Sequence, residues 1–131
     1  MSKKTHKLIL WFKDITIDDI ALVGGKNASL GEMYSHLTKQ GVKIPNGFAT
    51  TSLAYWHFIE QSGLKEKIKR LLAKIDYQNV ISLERQARAI RQLIIRTPLT
   101  IDLMKEVISA YQQLSRQSKS KRLDVAVRSS A

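Results

Sequence analysis

The amino-acid sequence predicts an α+β fold, mainly helical with a few short strands. Three observations carry this. Five segments space their apolar residues by steps of three and four, the pattern of one helix face. Three short stretches are continuously apolar or alternate with a period of two, as strands do. Gly41, Gly63 and Pro98 stand where helical segments should stop.

Taken in order, Leu8 to Phe12 is an apolar run of strand length. Ile15 to Ile20 is locally ambiguous. Val23-Gly24-Gly25-Lys26-Asn27 is a glycine turn, after which Leu30, Met33, Tyr34 and Leu37 mark one face of a first helix. Gly41 supplies the left-handed residue that ends it. Pro45-Asn46-Gly47 is a tight turn, and Phe48-Ala49 a brief strand. Thr50, Thr51 or Ser52 caps a second helix with Tyr55, Phe58 and Ile59 on its apolar face, and Gly63 ends it.

Leu64, Ile68, Leu71, Leu72 and Ile75 mark a third helix. Val80, Leu83, Ala87, Ile90 and Ile94 stripe a fourth, which Thr97-Pro98 stops because proline disfavours helical geometry in the residue before it. Leu103, Val107, Ala110, Tyr111 and Leu114 stripe a fifth. Gln117 to Arg122 reads as a basic, solvated loop. Leu123, Val125 and Val127 then alternate with Asp124, Ala126 and Arg128, which predicts a half-buried strand.

The 131 residues and 44% hydrophobic content suffice for one compact core. No cysteine is present, which excludes disulfides and thiolate metal sites and fits a cytoplasmic protein. Five apolar residues near the start are too few to span a bilayer or to form a secretory signal, so no membrane partner is expected. The net charge of +11 raises nucleic acid as a partner. No zinc-finger spacing or aromatic-basic interleaving accompanies it, and solvated helix faces or acidic parts of a larger protein account for the charge better.

Two short segments carry chemistry. Gly24-Gly25-Lys26-Asn27 opens a helix, where free N–H groups and the helix dipole suit an anion and Lys26 adds a point charge. Neither the Walker A nor the dinucleotide glycine spacing is present, and taken alone these four residues are better explained as a glycine turn with a solvated lysine. Near the other end, Val125-Ala126-Val127-Arg128-Ser129-Ser130 delivers an arginine from a short apolar stretch. Its guanidinium can grip phosphate oxygens through two parallel N–H bonds, with the serines as hydroxyl donors. Taken alone, an arginine in a structural ion pair is the better account of Arg128.

Three blocks in order resemble one family. Val23-Gly-Gly-Lys-Asn-Ala-Ser-Leu-Gly-Glu-Met33 is similar to the opening motif of phosphoenolpyruvate synthases (pyruvate, water dikinases) and pyruvate phosphate dikinases. Gly41-Val-Lys-Ile-Pro-Asn-Gly-Phe-Ala-Thr-Thr51 resembles their V-P-x-G-F-x-x-T block, and Ala126-Val-Arg-Ser-Ser-Ala131 the start of their A-V-R-S-S-A block. Gln61-Ser-Gly63 and Ile90-Arg-Gln-Leu-Ile-Ile-Arg-Thr-Pro98 look like the water-using synthase branch.

The resemblance implies an N-terminal portion of an ATP-grasp-like nucleotide-binding domain over residues 1–131, truncated at its C-terminal end. It implies a magnesium-dependent transferase of gluconeogenesis that converts ATP, pyruvate and water into AMP, phosphoenolpyruvate and phosphate through a phosphohistidine. Motif by motif, Lys26 and Arg128 are the implied ATP phosphate contacts, with Gly24, Gly25 and Ser129 as further ones. The family's T-A-E-D and S-F-A-G-Q blocks, its magnesium carboxylates, phosphohistidine, swivelling domain and pyruvate-binding barrel are absent from these residues. His6, His36 and His57 match no phosphohistidine context, and His36 and His57 read as ordinary surface or boundary residues on predicted helices. No catalytic or metal-ligating residue is therefore assigned, and the chain alone is expected to be inactive. Its implied partners are ATP, the remainder of the full-length enzyme, pyruvate only through the missing C-terminal domain, and a second copy in a homodimer. The alternatives are a piece of a related dikinase-like phosphotransferase, of the pyruvate phosphate dikinase or rifampicin phosphotransferase type, and a non-catalytic basic binding module.

Overall fold

The computed structural model describes residues 3–120 and 122–130. The fold is mostly helical with one two-stranded sheet, an α+β arrangement. Its elements are β1 (Ile9–Trp11), α1 (Ile20–Val23), α2 (Gly25–Leu37), β2 (Phe48–Thr50), α3 (Ser52–Gln61), α4 (Leu64–Leu72), α5 (Val80–Arg96) and α6 (Ile101–Gln117). A short 3-10 turn at Phe12–Asp14 follows β1, and a second at Ile17–Asp19 lies in the ambiguous stretch before α1. The chain divides into two compact units, Met1–Tyr55 with Asp102–Ala131, and Trp56–Ile101.

The first unit is built on the antiparallel pair β1–β2, with Leu10 opposite Ala49. Leu10, Ile15, Val23, Ala28 and Ala49 form its core, with Phe12 and Leu22 packed against them. α2 lies against the two 3-10 turns. Its closest approach is made by small residues: Ala28 and Gly31 are buried, and a Cβ on Gly31 would fall 2.6 Å from the Ile15 carbonyl oxygen. Met33, assigned to the apolar face, is instead exposed. The backbone contact with Ile15 turns the small-residue face of α2 inward.

One buried charge ties the chain start to this unit. Asp19 Oδ2 accepts hydrogen bonds from Lys4 Nζ (2.7 Å), Thr16 N (2.8 Å) and Thr16 Oγ1 (3.1 Å). Burial pushes the Asp19 carboxyl up, but these donors and the Lys4 charge outweigh it and hold the carboxyl below its ordinary value of 3.8. A carboxylate with a depressed folded pKa stabilises fully above its unfolded pKa, and that contribution is lost as pH falls through the folded pKa. Urea midpoints of the parent chain should therefore drop on acidification below about pH 4. In Asp19→Asn the midpoint at neutral pH should fall and this part of the acid sensitivity disappear. Equal acid slopes for both chains would remove Asp19 from this role.

Thr51 caps α3, as one of the three candidate residues. Its hydroxyl oxygen accepts from Ala54 N at 3.2 Å while its O–H donates to the Lys7 carbonyl oxygen at 2.7 Å. Phe58 and Ile59 are buried as expected, but Tyr55 is 50% exposed, and Ala54 takes the inward place in that turn. Gly41 and Gly63 both adopt the left-handed conformation predicted for residues that end helices.

In the second unit α4 packs on α5. α4 ends at Leu72, and tightened turns carry the chain on to Ile75. Asn79 caps α5 by accepting from Ile81 N and Ser82 N. The Asp76 N–H donates to Ser82 Oγ at 3.1 Å. These bonds bury Ser82 and leave Val80 and Leu83, the start of the expected stripe, exposed. Ala87, Ile90 and Ile94 are half-buried as the spacing predicts. α5 gives way to extended backbone at Thr97, ahead of Pro98.

Back in the first unit, α6 buries Leu103, Ala110 and Leu114, and it runs one residue into the expected loop before ending at Gln117. Lys121 of that loop lies outside the described residues, as does Ala131 at the end of the terminal block. The strand expected over Leu123–Val127 does not form. Residues 122–130 pair with no strand among the described residues, and Val127 is 91% exposed. Alternation specifies two faces, but a strand also needs a neighbouring edge to satisfy its backbone. The terminal segment is instead fastened at points, by Tyr111 Oη donating to the Leu123 carbonyl oxygen at 2.9 Å and by Ser130. No helix among the described residues is long and apolar enough to cross a membrane.

Candidate functional site

The site grows out of one glycine. Gly24 has φ 79° and ψ 159°, a region essentially reserved for glycine. Its N–H donates to the Ile20 carbonyl oxygen at 2.8 Å and closes α1. Its carbonyl oxygen accepts from Ala28 N at 3.0 Å and opens α2. The amides of Gly25, Lys26 and Asn27 lie ahead of that first helical bond, so they have no carbonyl one turn back. No acidic side chain lies in this first turn to offset the positive end of the helix. Lys26 is exposed there, and a Cβ on Gly25 would meet nothing within 4 Å.

The terminal segment comes to this same turn. A Cβ on Gly24 would lie 2.1 Å from the Ser130 carbonyl oxygen, so the absence of a side chain is what admits Ser130. Asn27 Nδ2 donates to the Val23 carbonyl oxygen at 2.8 Å and to Ser130 Oγ at 3.1 Å, across 103 positions of sequence. The structure thus brings the Gly24–Asn27 turn and the Arg128–Ser130 segment together. Arg128 and Ser129 are exposed, and no ion pair or hydrogen bond joins them to another described residue.

Two features were not singled out from the sequence. Gly24 seats Ser130, leaving Gly25 as the glycine beside open space. Ser130, expected as a hydroxyl donor, uses its oxygen to accept from Asn27. A polar residue in the first helical turn next to Lys26 was the available signal for Asn27, but nothing in one sequence names its partner. His36 sits on the α2 surface, its Nε2 2.9 Å from Glu32 Oε2, as an ordinary helix residue. Among the described residues no group of three or more His, Cys, Asp or Glu is placed to hold a metal ion.

The sequence matches the family described as pyruvate phosphate dikinase, AMP/ATP-binding domain, over residues 20–131. It is 47% identical over 125 residues to a phosphoenolpyruvate synthase of Helicobacter pylori, covering 95% of this chain and 15% of that protein. It is 42% identical over 135 residues to a phosphoenolpyruvate synthase of Synechocystis, covering 100% of this chain and 16% of the relative. For a phosphoenolpyruvate synthase of Escherichia coli the identity is 45% over 124 residues, covering 95% and 15%. The chain therefore spans less than a fifth of the length of these curated relatives. With the family match extending over most of its residues, the chain belongs to the pyruvate phosphate dikinase AMP/ATP-binding domain family.

Proposed function

We propose that this chain is the N-terminal part of the ATP-grasp-like nucleotide-binding domain of a phosphoenolpyruvate synthase. The parent enzyme would be a cytoplasmic homodimer that makes phosphoenolpyruvate, AMP and phosphate from ATP, pyruvate and water. In this reading Lys26 and Arg128 hold ATP phosphates, and Gly24, Gly25 and Ser129 add contacts. The observation that carries it is the meeting of Ser130 with the Gly24–Asn27 turn, which puts two cation-bearing segments from opposite ends of the chain beside one helix start.

The chemistry follows from the residues. The amides at the start of α2 and the Lys26 ammonium attract a polyanion, and Arg128 offers a planar fork for two phosphate oxygens. Fixed cations beside transferring phosphate stabilise the charge that spreads over its oxygens. When bound, magnesium supplies further neutralisation of that charge, and its ligands are assigned to parts of the parent enzyme beyond these residues. The same assignment covers the phosphohistidine and the pyruvate site, so the isolated chain binds ATP weakly and does not turn it over. The synthase names of the relatives compared favour the water-using branch over the other dikinase types.

A titration of the isotope-labelled chain with millimolar ATP tests this. Amide shifts should concentrate at Gly25–Asn27 and at Arg128–Ser130. Losing a charge-assisted contact costs about 1.5–3 kcal/mol, so Lys26→Met should weaken ATP binding by about 10- to 150-fold. Shifts confined to other segments, or an affinity unchanged by Lys26→Met, would refute the assignment.

A further inference from the structure

We infer that Asn27 is a positioning residue that latches the arginine-bearing segment to the helix start, so that Lys26 and Arg128 act on one anion together. The inference rests on the nucleotide reading above and adds to it a residue that need not touch the nucleotide.

An asparagine amide nitrogen has two hydrogens. Here one goes to the Val23 carbonyl oxygen and the other to Ser130 Oγ. The first bond locks the side chain against the end of α1, so the second reaches outward from a fixed base. Val23 is buried in the core, which makes that base rigid. Ser130, by contrast, belongs to a segment with no strand pairing among the described residues. Without the latch, the contacts among the described residues that remain to place Arg128 are the Tyr111 bond to Leu123 and the Ser130 seat on Gly24. Arg128 is two residues from the latched serine and Lys26 is adjacent to Asn27, so one side chain sets the separation of both cations. An arginine held in place loses less freedom on gripping phosphate than one on a free segment.

The residue type supports a role beyond local structure. Asparagine is a poorer helix former than alanine, and it stands in the first turn of α2. Aspartate would keep size and polarity but has no N–H to donate, so it would face the Val23 carbonyl oxygen with an acceptor and add negative charge beside a phosphate.

The test uses the whole chain and ATP. Dissociation constants from amide shifts are compared for the parent, Lys26→Met, Arg128→Met, Asn27→Ala, Asn27→Asp and Ser130→Ala, and for the double variants. Ser130→Ala removes the acceptor hydroxyl at an exposed position and leaves the Asn27–Val23 bond intact, so it serves even where Asn27→Ala fails to fold. Arg128→Met should cost about tenfold in the parent and less than about twofold once the latch is cut by Asn27→Ala or Ser130→Ala. Lys26→Met should cost the same in every background. Asn27→Asp should bind no better than Asn27→Ala. A purely structural asparagine would lower the contributions of both cations equally, and that result overturns the inference, as does an undiminished Arg128 penalty in Ser130→Ala.

Failure of the nucleotide reading looks different, because ATP would then shift neither block in the parent. The ATP-free spectra still decide the latch. The Arg128–Ser130 amides should move toward unstructured shifts and lose hydrogen-exchange protection in Asn27→Ala and Ser130→Ala. Unchanged spectra in both would overturn it.

Discussion

Replacing Gly24 with alanine should release the terminal segment from the start of α2 and abolish the proposed joint action of Lys26 and Arg128. Two effects add. The backbone at φ 79° and ψ 159° is one that residues with a Cβ avoid, at roughly 1–3 kcal/mol. The new Cβ would also sit 2.1 Å from the Ser130 carbonyl oxygen, a backbone atom that no rotamer change can move aside. Either the Gly24 turn must change its angle, which disturbs the α1–α2 joint, or Ser130 must leave. Leaving is the easier outcome, since the segment is fastened at few points. The Gly24→Ala chain should show free Arg128–Ser130 amides, an ATP affinity at or below that of Arg128→Met, and a lowered urea midpoint. Parent-like amide shifts at Ser130 would show that the turn tolerates a side chain and that the close approach does not matter.

The second large effect is expected at Gly31, where two principles oppose each other. Alanine inside a helix gains about 1 kcal/mol over glycine. At Gly31 the added methyl would lie 2.6 Å from the Ile15 carbonyl oxygen and 2.7 Å from its Cβ. Ile15 is wholly buried, so it cannot swing away, and overpacking of this kind costs about 1–3 kcal/mol. Contact with both backbone and Cβ places the cost at the upper end, for a net loss of about 2 kcal/mol. Gly25→Ala provides the contrast in the same helix, because its Cβ meets nothing within 4 Å. Chemical denaturation should find Gly31→Ala clearly destabilised and Gly25→Ala unchanged or slightly stabilised. The reverse order would mean that α2 does not pack on Ile15 as described.

What the sequence disclosed follows the range of the forces involved. Gly41 and Gly63 were legible because a left-handed residue after a helix is a local requirement met by one residue type. β1, β2 and the inward residues of α6 were legible because an apolar run or stripe has few places to go. The first turn of α5 was not. Its rotation is set by the Asn79 cap and the Ser82 bond to Asp76, and an apolar count does not weigh these. The terminal stretch from Leu123 had the alternation of a strand, but pairing depends on a neighbour that alternation does not reveal. Lys26 and Arg128 came from the resemblance of their blocks rather than from charge or spacing. The bond between Asn27 and Ser130 was invisible because the two residues are 103 positions apart and each is unremarkable by itself.

The division of the chain also orders its assembly in time. Unit Trp56–Ile101 is one continuous stretch, whereas its companion is made of two stretches separated by the whole of that unit. Short-range contacts close quickly, and contacts between distant positions wait on chain entropy. During synthesis the helical pair α4–α5 can close as soon as it emerges. In the companion unit, the contact of Ser130 with the Gly24–Asn27 turn can close only after the whole of Trp56–Ile101 has been made. A ribosome that stalls before Ser130 would thus leave Gly24 with a vacant seat and Asn27 with a spare hydrogen, and the corner proposed to hold phosphate would mature later than α4–α5.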